Sequence, residues 1–259
     1  MEREFAVLVL SCDKYSDVWP AFFRCFWENF PVGDWPVYLA STTKKYDDPR
    51  VISLFSGNDT DWSSSYKRIL ERIPEKKVFV ILEDLLLCEK FDPTVLAAIA
   101  WFMSEKNANL IKYSANPAPD IPTGMPLIGE CLKGAPYRAT VCGFWDREYL
   151  LKLLIEGESP WNFEIMGSYR TAYSDGIYAT TLPYCRNINL IEKGRWVPES
   201  VDWAIQRGLP LTLEARPMQK GGGRLISLLQ VGVFNLILRI PWRFRVRLMD
   251  KLRRLLISY

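Results

Sequence analysis

Three stretches of the chain are apolar at consecutive positions instead of alternate ones: Phe5 to Leu10, Val37 to Ala40, and Lys77 to Leu82, whose single charged member is its first. Short runs of this kind, rich in β-branched and aromatic residues, predict strands buried on both faces, as in a parallel sheet covered by helices. Between them the period changes to helical. Phe22, Phe23, Phe26 and Trp27 share one face of a segment that Ser16 or Asp17 can cap and that tolerates Pro20 in its first turn. Ile69, Leu70 and Ile73 share another, opened by Asp61 or Ser63 and ended by Pro74. Val51 to Phe55 adds a strand, Asp92-Pro93 starts a helix through about Met103, and Leu110 to Tyr113 is again strand-like. Strand and helix in alternation argue for a parallel sheet with crossover helices.

Past Tyr113 the pattern loosens. Asn116 to Pro136 is rich in Pro and Gly and predicts a long loop, a type of segment that often covers an active site. Tyr137 to Trp145 is expected to be extended, and Asp146 caps a helix bearing Leu150, Leu151, Leu153 and Leu154. Glu158 to Glu164 breaks the pattern, Ile188 to Ile191 reads as a last strand, and Pro198 to Arg207 as a short helix stopped by Gly208. Gly221 to Gly223 is a plausible hinge, dividing a domain over 1–219 from a tail over 220–259.

Charge separates the same two parts. The tail carries nine Lys and Arg against Asp250 alone, a net +8 in a chain of total +3, so the remainder is −5. Its apolar run, 225–238, is shorter than the roughly 20 residues that span a bilayer. After Pro241, helical spacing sets Phe244, Leu248, Leu252, Leu255 and Leu256 opposite Arg243, Arg247, Lys251 and Arg254. That distribution is expected of a helix lying in a membrane interface. The alternatives are a basic helix folded back on the protein and, more weakly, a nucleic-acid contact, which would call for stacking aromatics where aliphatics stand.

There is no histidine, which excludes Ser-His-Asp and Cys-His catalysis and any imidazole base. Proton transfer near neutral pH then falls to Asp or Glu. Six scattered cysteines without a C-x-x-C pair support neither a zinc ribbon nor a thioredoxin-like site. Met1-Glu2-Arg3-Glu4 runs directly into a strand, so a cytosolic location is expected.

The third apolar strand ends in Glu83 and Asp84, at the edge where open α/β sheets bind ligands. Adjacent carboxylates call for a cation or hydrogen-bond donors, although two acids in a solvated turn would read the same way. The same edge gathers Asp13 and Ser41 to Thr43. The helix starting near Trp62 adds free N–H groups, Ser63 to Ser65 and Arg68, a set suited to a diphosphate. Ser63 to Ser65 can equally be a simple cap.

The words S-C-D-K-Y-S-D-V-W, W-S-S-S-Y-K-R-I-L, V-F-V-I-L-E-D, Y-R-A-T-V-C-G-F-W, S-P-W-N-F-E and E-K-G-R-W, taken in order over about residues 5 to 200, resemble the bacterial nucleotide-sugar glycosyltransferases of GT-A fold that build cell-surface polysaccharide. The resemblance implies a GT-A-like, mostly parallel sheet flanked by helices. It implies that Glu83 and Asp84 stand where that fold carries D-x-D-type acids, holding Mg or Mn on the donor diphosphate. Leu82 and Leu85 flank them here, and a strict D-x-D is absent. One acid can instead hold sugar hydroxyls while Arg68 or Lys193 neutralises the diphosphate. Asp13, Ser41, Trp62 and Ser65 would complete the donor side.

Glu164 resembles the carboxylate that takes the acceptor proton in inverting enzymes. Its chemistry also fits independently, since burial beside Trp161 and Phe163 would raise its pKa. A salt bridge from Glu164 to Arg170, with Trp161 and Phe163 in the core, is the structural alternative. Trp161, Tyr137 and Arg138 are acceptor-side candidates. The expected partners are a nucleoside-diphosphate sugar, a lipid-linked glycan, and anionic inner-leaflet lipid met through 224–259, with no nucleic acid. The expected location is peripheral, on the cytoplasmic face of the plasma membrane. Two other classes stay open: a sugar nucleotidyltransferase, although Ser11 to Tyr15 lacks the glycine-rich loop such enzymes carry, and a non-catalytic nucleotide- or glycan-binding protein.

Overall fold

The computed structural model describes residues 4–57, 61–113, 117–181, 185–219 and 236–256, with side chains through 251. The proposed hinge at Gly221 to Gly223, the tail residues before 236, Asn116 and the side chains of Leu252 to Leu256 lie outside the described residues. Every position of Phe5–Leu10 (β1) and Val37–Ser41 (β2) is buried, as the unbroken apolar runs require. Val51–Phe55 (β3) and Lys77–Leu82 (β4) join them in a parallel set, with Val7 opposite both Val37 and Phe79.

Leu85–Leu87 (β5) follows the acids and stands outside this sheet, paired with Asn187–Asn189 (β11). The sheet is completed by Leu110–Lys112 (β6), Ile121–Pro122 (β7), Ile128–Glu130 (β8), Gly143–Asp146 (β9) and Ile177–Thr180 (β10). Its order is β3-β2-β1-β4-β9-β6-β10-β8-β7. All but β8 and β9 run in one direction, so the sheet is mostly parallel as expected.

Alternation along the strands sends side chains to two cores. Val7, Val9, Phe79 and Ile81 pack with Trp19–Asn29 (α1), Pro93–Glu105 (α3) and residues of the later helix Pro198–Gln206. Ala6, Leu8, Val78 and Val80 pack with Trp62–Leu70 (α2), Arg147–Leu153 (α4) and Phe163. Phe79 lies in a stack, 5.2 Å from Phe30 and 4.4 Å from Phe144, in the middle of the first core. Burying one such ring stabilises by roughly 2–3 kcal/mol.

Several expectations need correction. Of the extended stretch over 137–145, only its end is a strand, and that strand is antiparallel, inserted between β4 and β6. It fits there because Gly143 has no side chain: a Cβ would come within 2.9 Å of the Ile111 carbonyl. The long loop carries β7 and β8. The expected break over 158–164 is instead the start of a helical stretch. Ser159 caps Pro160–Asn162 (α5), a π turn follows over Phe163–Gly167, and Ser168–Arg170 (α6) and Thr171–Tyr173 complete it. α1 has no polar cap, because Asp17 is ion-paired to Arg216 and Ser16 receives the ammonium of Lys44. The last strand resolves into β11 and a hairpin of Ile191–Glu192 (β12) and Arg195–Trp196 (β13).

Candidate active site

The C-terminal ends of β1 and β2 and the loop after β3 face the N-terminus of α2. They enclose a pocket of about 220 Å³ whose walls include Ser11, Ser41, Thr42, Ser56, Trp62 and Tyr66. Asp61 caps α2, accepting from the Ser64 N–H at 2.9 Å and the Ser63 hydroxyl at 2.7 Å, and it also receives the Gly157 N–H at 3.0 Å. Those donors hold its carboxyl well below the usual range. Tyr66 is fully buried in the wall, and its hydroxyl has no partner among the described residues.

The acid pair lies next to the pocket. Ser11 lines the pocket, and its hydroxyl, fixed by the Trp19 indole N–H at 2.8 Å, favours the ionised form of Glu83. Burial, with Asp84 beside it, pushes the Glu83 carboxyl well up; burial likewise raises Asp84. One carboxylate oxygen of Asp84 is buried and unpartnered among the described residues. The compensating cation is Arg216, which the sequence did not single out. Its guanidinium holds Asp17 at 2.6 Å, donates to the Lys14 carbonyl and lies 4.3 Å above the Tyr15 ring, and its charge favours the ionised form of both acids.

Glu164 lies in the π turn, the irregular helical geometry that recurs at functional sites. Its Oε1 accepts the Val141 N–H at 3.1 Å. Burial raises its pKa; the Val141 hydrogen bond and the charge of Lys112 oppose the shift. Next to Val141, the Cys142 thiol is within reach of the Leu82 backbone and feels Glu164, Asp84 and Glu83 together. Because Val80 of β4 pairs with Gly143, Glu164 held at Val141 lies at the same edge of the sheet as Glu83 and Asp84, which follow β4. Lys112, the last residue of β6, is fully buried there and donates to the Pro117 and Tyr137 carbonyls.

The other candidates divide. Trp62, Ser41 and Ser65 line the pocket, and Arg68 braces its rim, donating to the Ser56 carbonyl at 2.8 Å and the Ser65 hydroxyl at 3.1 Å. Asp13 does not line the pocket, and its carboxylate accepts from the N–H groups of Thr42, Thr43 and Lys44 and the Thr43 hydroxyl, organising the turn after β2. Lys193 is exposed at the tip of the β12–β13 hairpin, with no hydrogen bond or ion pair among the described residues. Tyr137 is half-buried and feels the charge of Glu164.

Arg138 is buried and bonded to backbone carbonyls. It is 1% exposed, and its guanidinium is consumed by the carbonyls of Cys131, Thr171 and Ser174, which folds 137–142 around it. Trp161 is 65% exposed, outside the core, while Phe163 is fully buried. Arg170 pairs with Glu158 at 2.7 and 2.8 Å, so the alternative in which Arg170 neutralises Glu164 is not what forms.

Arg216 had no signal in the sequence, being an isolated cation far along the chain from the acids. Lys112 had one: a lysine closing an otherwise apolar strand. Arg216 thus sets positive charge beside two buried acids, and Glu164 is a carboxylate whose raised pKa suits it to take up a proton.

No protein-family model matches the sequence, and no curated protein matches it. Among solved structures, TarS 1–349 from S. aureus is 12% identical at a TM-score of 0.47, over 70% of this chain and 58% of that one. The same protein in complex with UDP-GlcNAc gives 12% and 0.46, over 70% and 56%. CMP:2-keto-3-deoxy-manno-octonic acid synthetase complexed with CTP is 12% identical at 0.41, over 80% of this chain and 100% of that one. The chain thus spans less than two thirds of the TarS fragment, and the ligands are those proteins' own.

Proposed function

We propose that this chain is an inverting glycosyltransferase, moving a sugar from a nucleoside-diphosphate donor to a hydroxyl of a lipid-linked cell-surface glycan such as lipopolysaccharide, capsule or O-antigen. The observation that carries the reading is Glu164: a mostly buried carboxylate with a raised pKa, held by the Val141 N–H and sharing the Cys142 corner with Glu83 and Asp84. In a chain without histidine it is suited to act as general base. The acceptor hydroxyl gives its proton to Glu164 as its oxygen bonds to the donor's anomeric carbon. The bond from that carbon to the diphosphate oxygen breaks, and the diphosphate leaves with the electron pair.

The pocket between β1, β2 and α2 is of a size for a nucleoside, with its hydroxyl-rich wall continuing through Ser11 to the acids. Among the described residues no group of three His, Cys, Asp or Glu offers a metal site made by the protein alone, so a Mg or Mn ion would have to arrive with the donor, attach through the unpartnered Asp84 oxygen and fill its shell with phosphate and water oxygens. It would supply neutralising charge to the diphosphate; Arg216 contributes fixed positive charge from the protein itself.

Glu164→Gln tests the reading. Transfer should fall by about 10²–10⁴-fold while nucleoside-diphosphate binding, read by thermal shift with and without Mg or Mn, is retained. Full activity of the variant would remove Glu164 from the reaction. Pyrophosphate release would mark a nucleotidyltransferase instead.

A further inference from the structure

Two exposed apolar features lie outside the pocket. The first is a stripe on the helical stretch that carries Glu164: Trp161, Ile165, Tyr169 and Tyr173 recur every fourth residue, and Trp161 and Tyr173 are 65% and 80% exposed. The opposite side of the same stretch buries Phe163, Gly167, Ser168 and Thr171. The second is the C-terminal helix Trp242–Leu256.

Of the apolar face that the spacing of this helix suggests, the side chains of Phe244 and Leu248 are described, the first exposed and the second partly buried. Among the helix residues with described side chains the most buried is Arg245, whose guanidinium pairs with Asp120 at 2.6 Å and donates to the Leu132, Lys133 and Leu238 carbonyls. Gly134 admits its backbone closely, since a Cβ there would stand 2.8 Å from the Val246 nitrogen. With Arg245 inward, Phe244 is 64% exposed, and Leu236, Trp242, Arg239, Arg243, Arg247 and Lys251 also face outward.

Lys133 connects the two features. Its carbonyl accepts from Arg245, and its ammonium lies 3.2 Å from Asp175, two residues beyond Tyr173. Aromatic rings interleaved with cations that form no ion pair among the described residues match the interfacial zone of an anionic bilayer, where rings sit at headgroup depth and each basic residue adds attraction. Among the described residues no helix is long and apolar enough to cross a membrane.

We infer that the outward face of the C-terminal helix and the 161–173 stripe form one surface that seats the chain on an anionic lipid bilayer, with the Glu164 stretch turned toward the lipid. The orientation rests on the proposed lipid-linked acceptor, because it brings that acceptor's hydroxyl to Glu164 from the membrane side. The stripe extends the surface beyond the basic tail.

Co-sedimentation of the full chain with vesicles tests it, comparing phosphatidylcholine alone with about 30% phosphatidylglycerol in phosphatidylcholine. Binding is expected only with phosphatidylglycerol and should weaken at high salt. Arg243→Glu with Arg247→Glu, and separately Trp161→Ser with Tyr173→Ser, should each lower partitioning by roughly tenfold. All four side chains are exposed, so melting temperature and nucleoside-diphosphate binding should stay as in the parent. No binding by the parent chain, equal binding to neutral vesicles, or unchanged binding of either pair of variants would overturn the inference. Loss of nucleotide binding in the parent would instead count against the glycosyltransferase reading.

Discussion

The ring of Phe163 lies 5.6 Å from the indole of Trp62, so the residue next to the candidate base packs directly on the wall of the pocket. Phe163 is fully buried and also meets Trp145 at 6.2 Å, which anchors the π turn on the second core. The pocket and Glu164 are therefore parts of one packed unit, and a cavity at Phe163 would disturb both.

The raised pKa of Glu164 has a kinetic sign. A general base works ionised, so kcat should fall as pH drops through a value above the ordinary carboxylate range. A pH profile of single-turnover transfer checks this. An acid limb at the ordinary glutamate value would show that burial does not act on the reacting carboxyl.

Asp84→Asn should trade function for stability. Burial raises the Asp84 pKa, so the folded state binds the proton more tightly than the unfolded chain. Its contribution is full below the ordinary aspartate value and is lost as pH rises through the raised one. The amide removes that loss. The variant should melt higher than the parent at pH 8, with the gap closing toward pH 4, while donor binding weakens. Thermal melts at the two pH values decide it.

Tyr66→Phe removes a buried hydroxyl that has no partner among the described residues. An orphan polar group costs about 1–3 kcal/mol, so the free protein should melt higher by about 2–12 °C. If the hydroxyl meets a bound nucleotide, affinity should fall about three- to tenfold at the same time. Melting and titration calorimetry on one sample read both effects. A lower melting temperature would mean that the hydroxyl is already satisfied.

Asp61→Ala should cost about 1–2 kcal/mol through loss of the α2 cap, and more where the Gly157 N–H loses its acceptor as well. The Asp61 pKa is lowered in the fold, so this stabilisation is present at neutral pH and fades as pH falls below the ordinary aspartate range. Nucleotide binding should weaken too, because Asp61 and α2 form one side of the pocket. Asp61→Asn should recover most of the melting temperature.

The strands β1, β2, β3 and β4, their helices and the acids at the sheet's edge were legible because buried strands and capped helices are written in local periodicity. Asp92 and Asp146 cap α3 and α4 as their positions foretell. The reversed strand β9 was not legible, since its direction depends on Gly143 fitting against Ile111 of a strand thirty residues earlier. Nor was β10, whose four residues carry no distinctive period. The helical stretch 160–173 was hidden by Pro160, which reads as a breaker but is tolerated in a first turn behind the Ser159 cap.

By itself, then, the sequence determined a mostly parallel α/β sheet, the absence of any imidazole base, and a basic C-terminal segment. Only the tertiary structure decided which charges meet. Arg216 reaches the acids from more than a hundred residues away, Arg138 and Arg245 are spent on backbone carbonyls or Asp120, and Glu164 comes to the Cys142 corner through an antiparallel strand. The reason is physical: local pattern encodes which face of an element avoids water, whereas the partner of a buried charge is chosen by long-range packing.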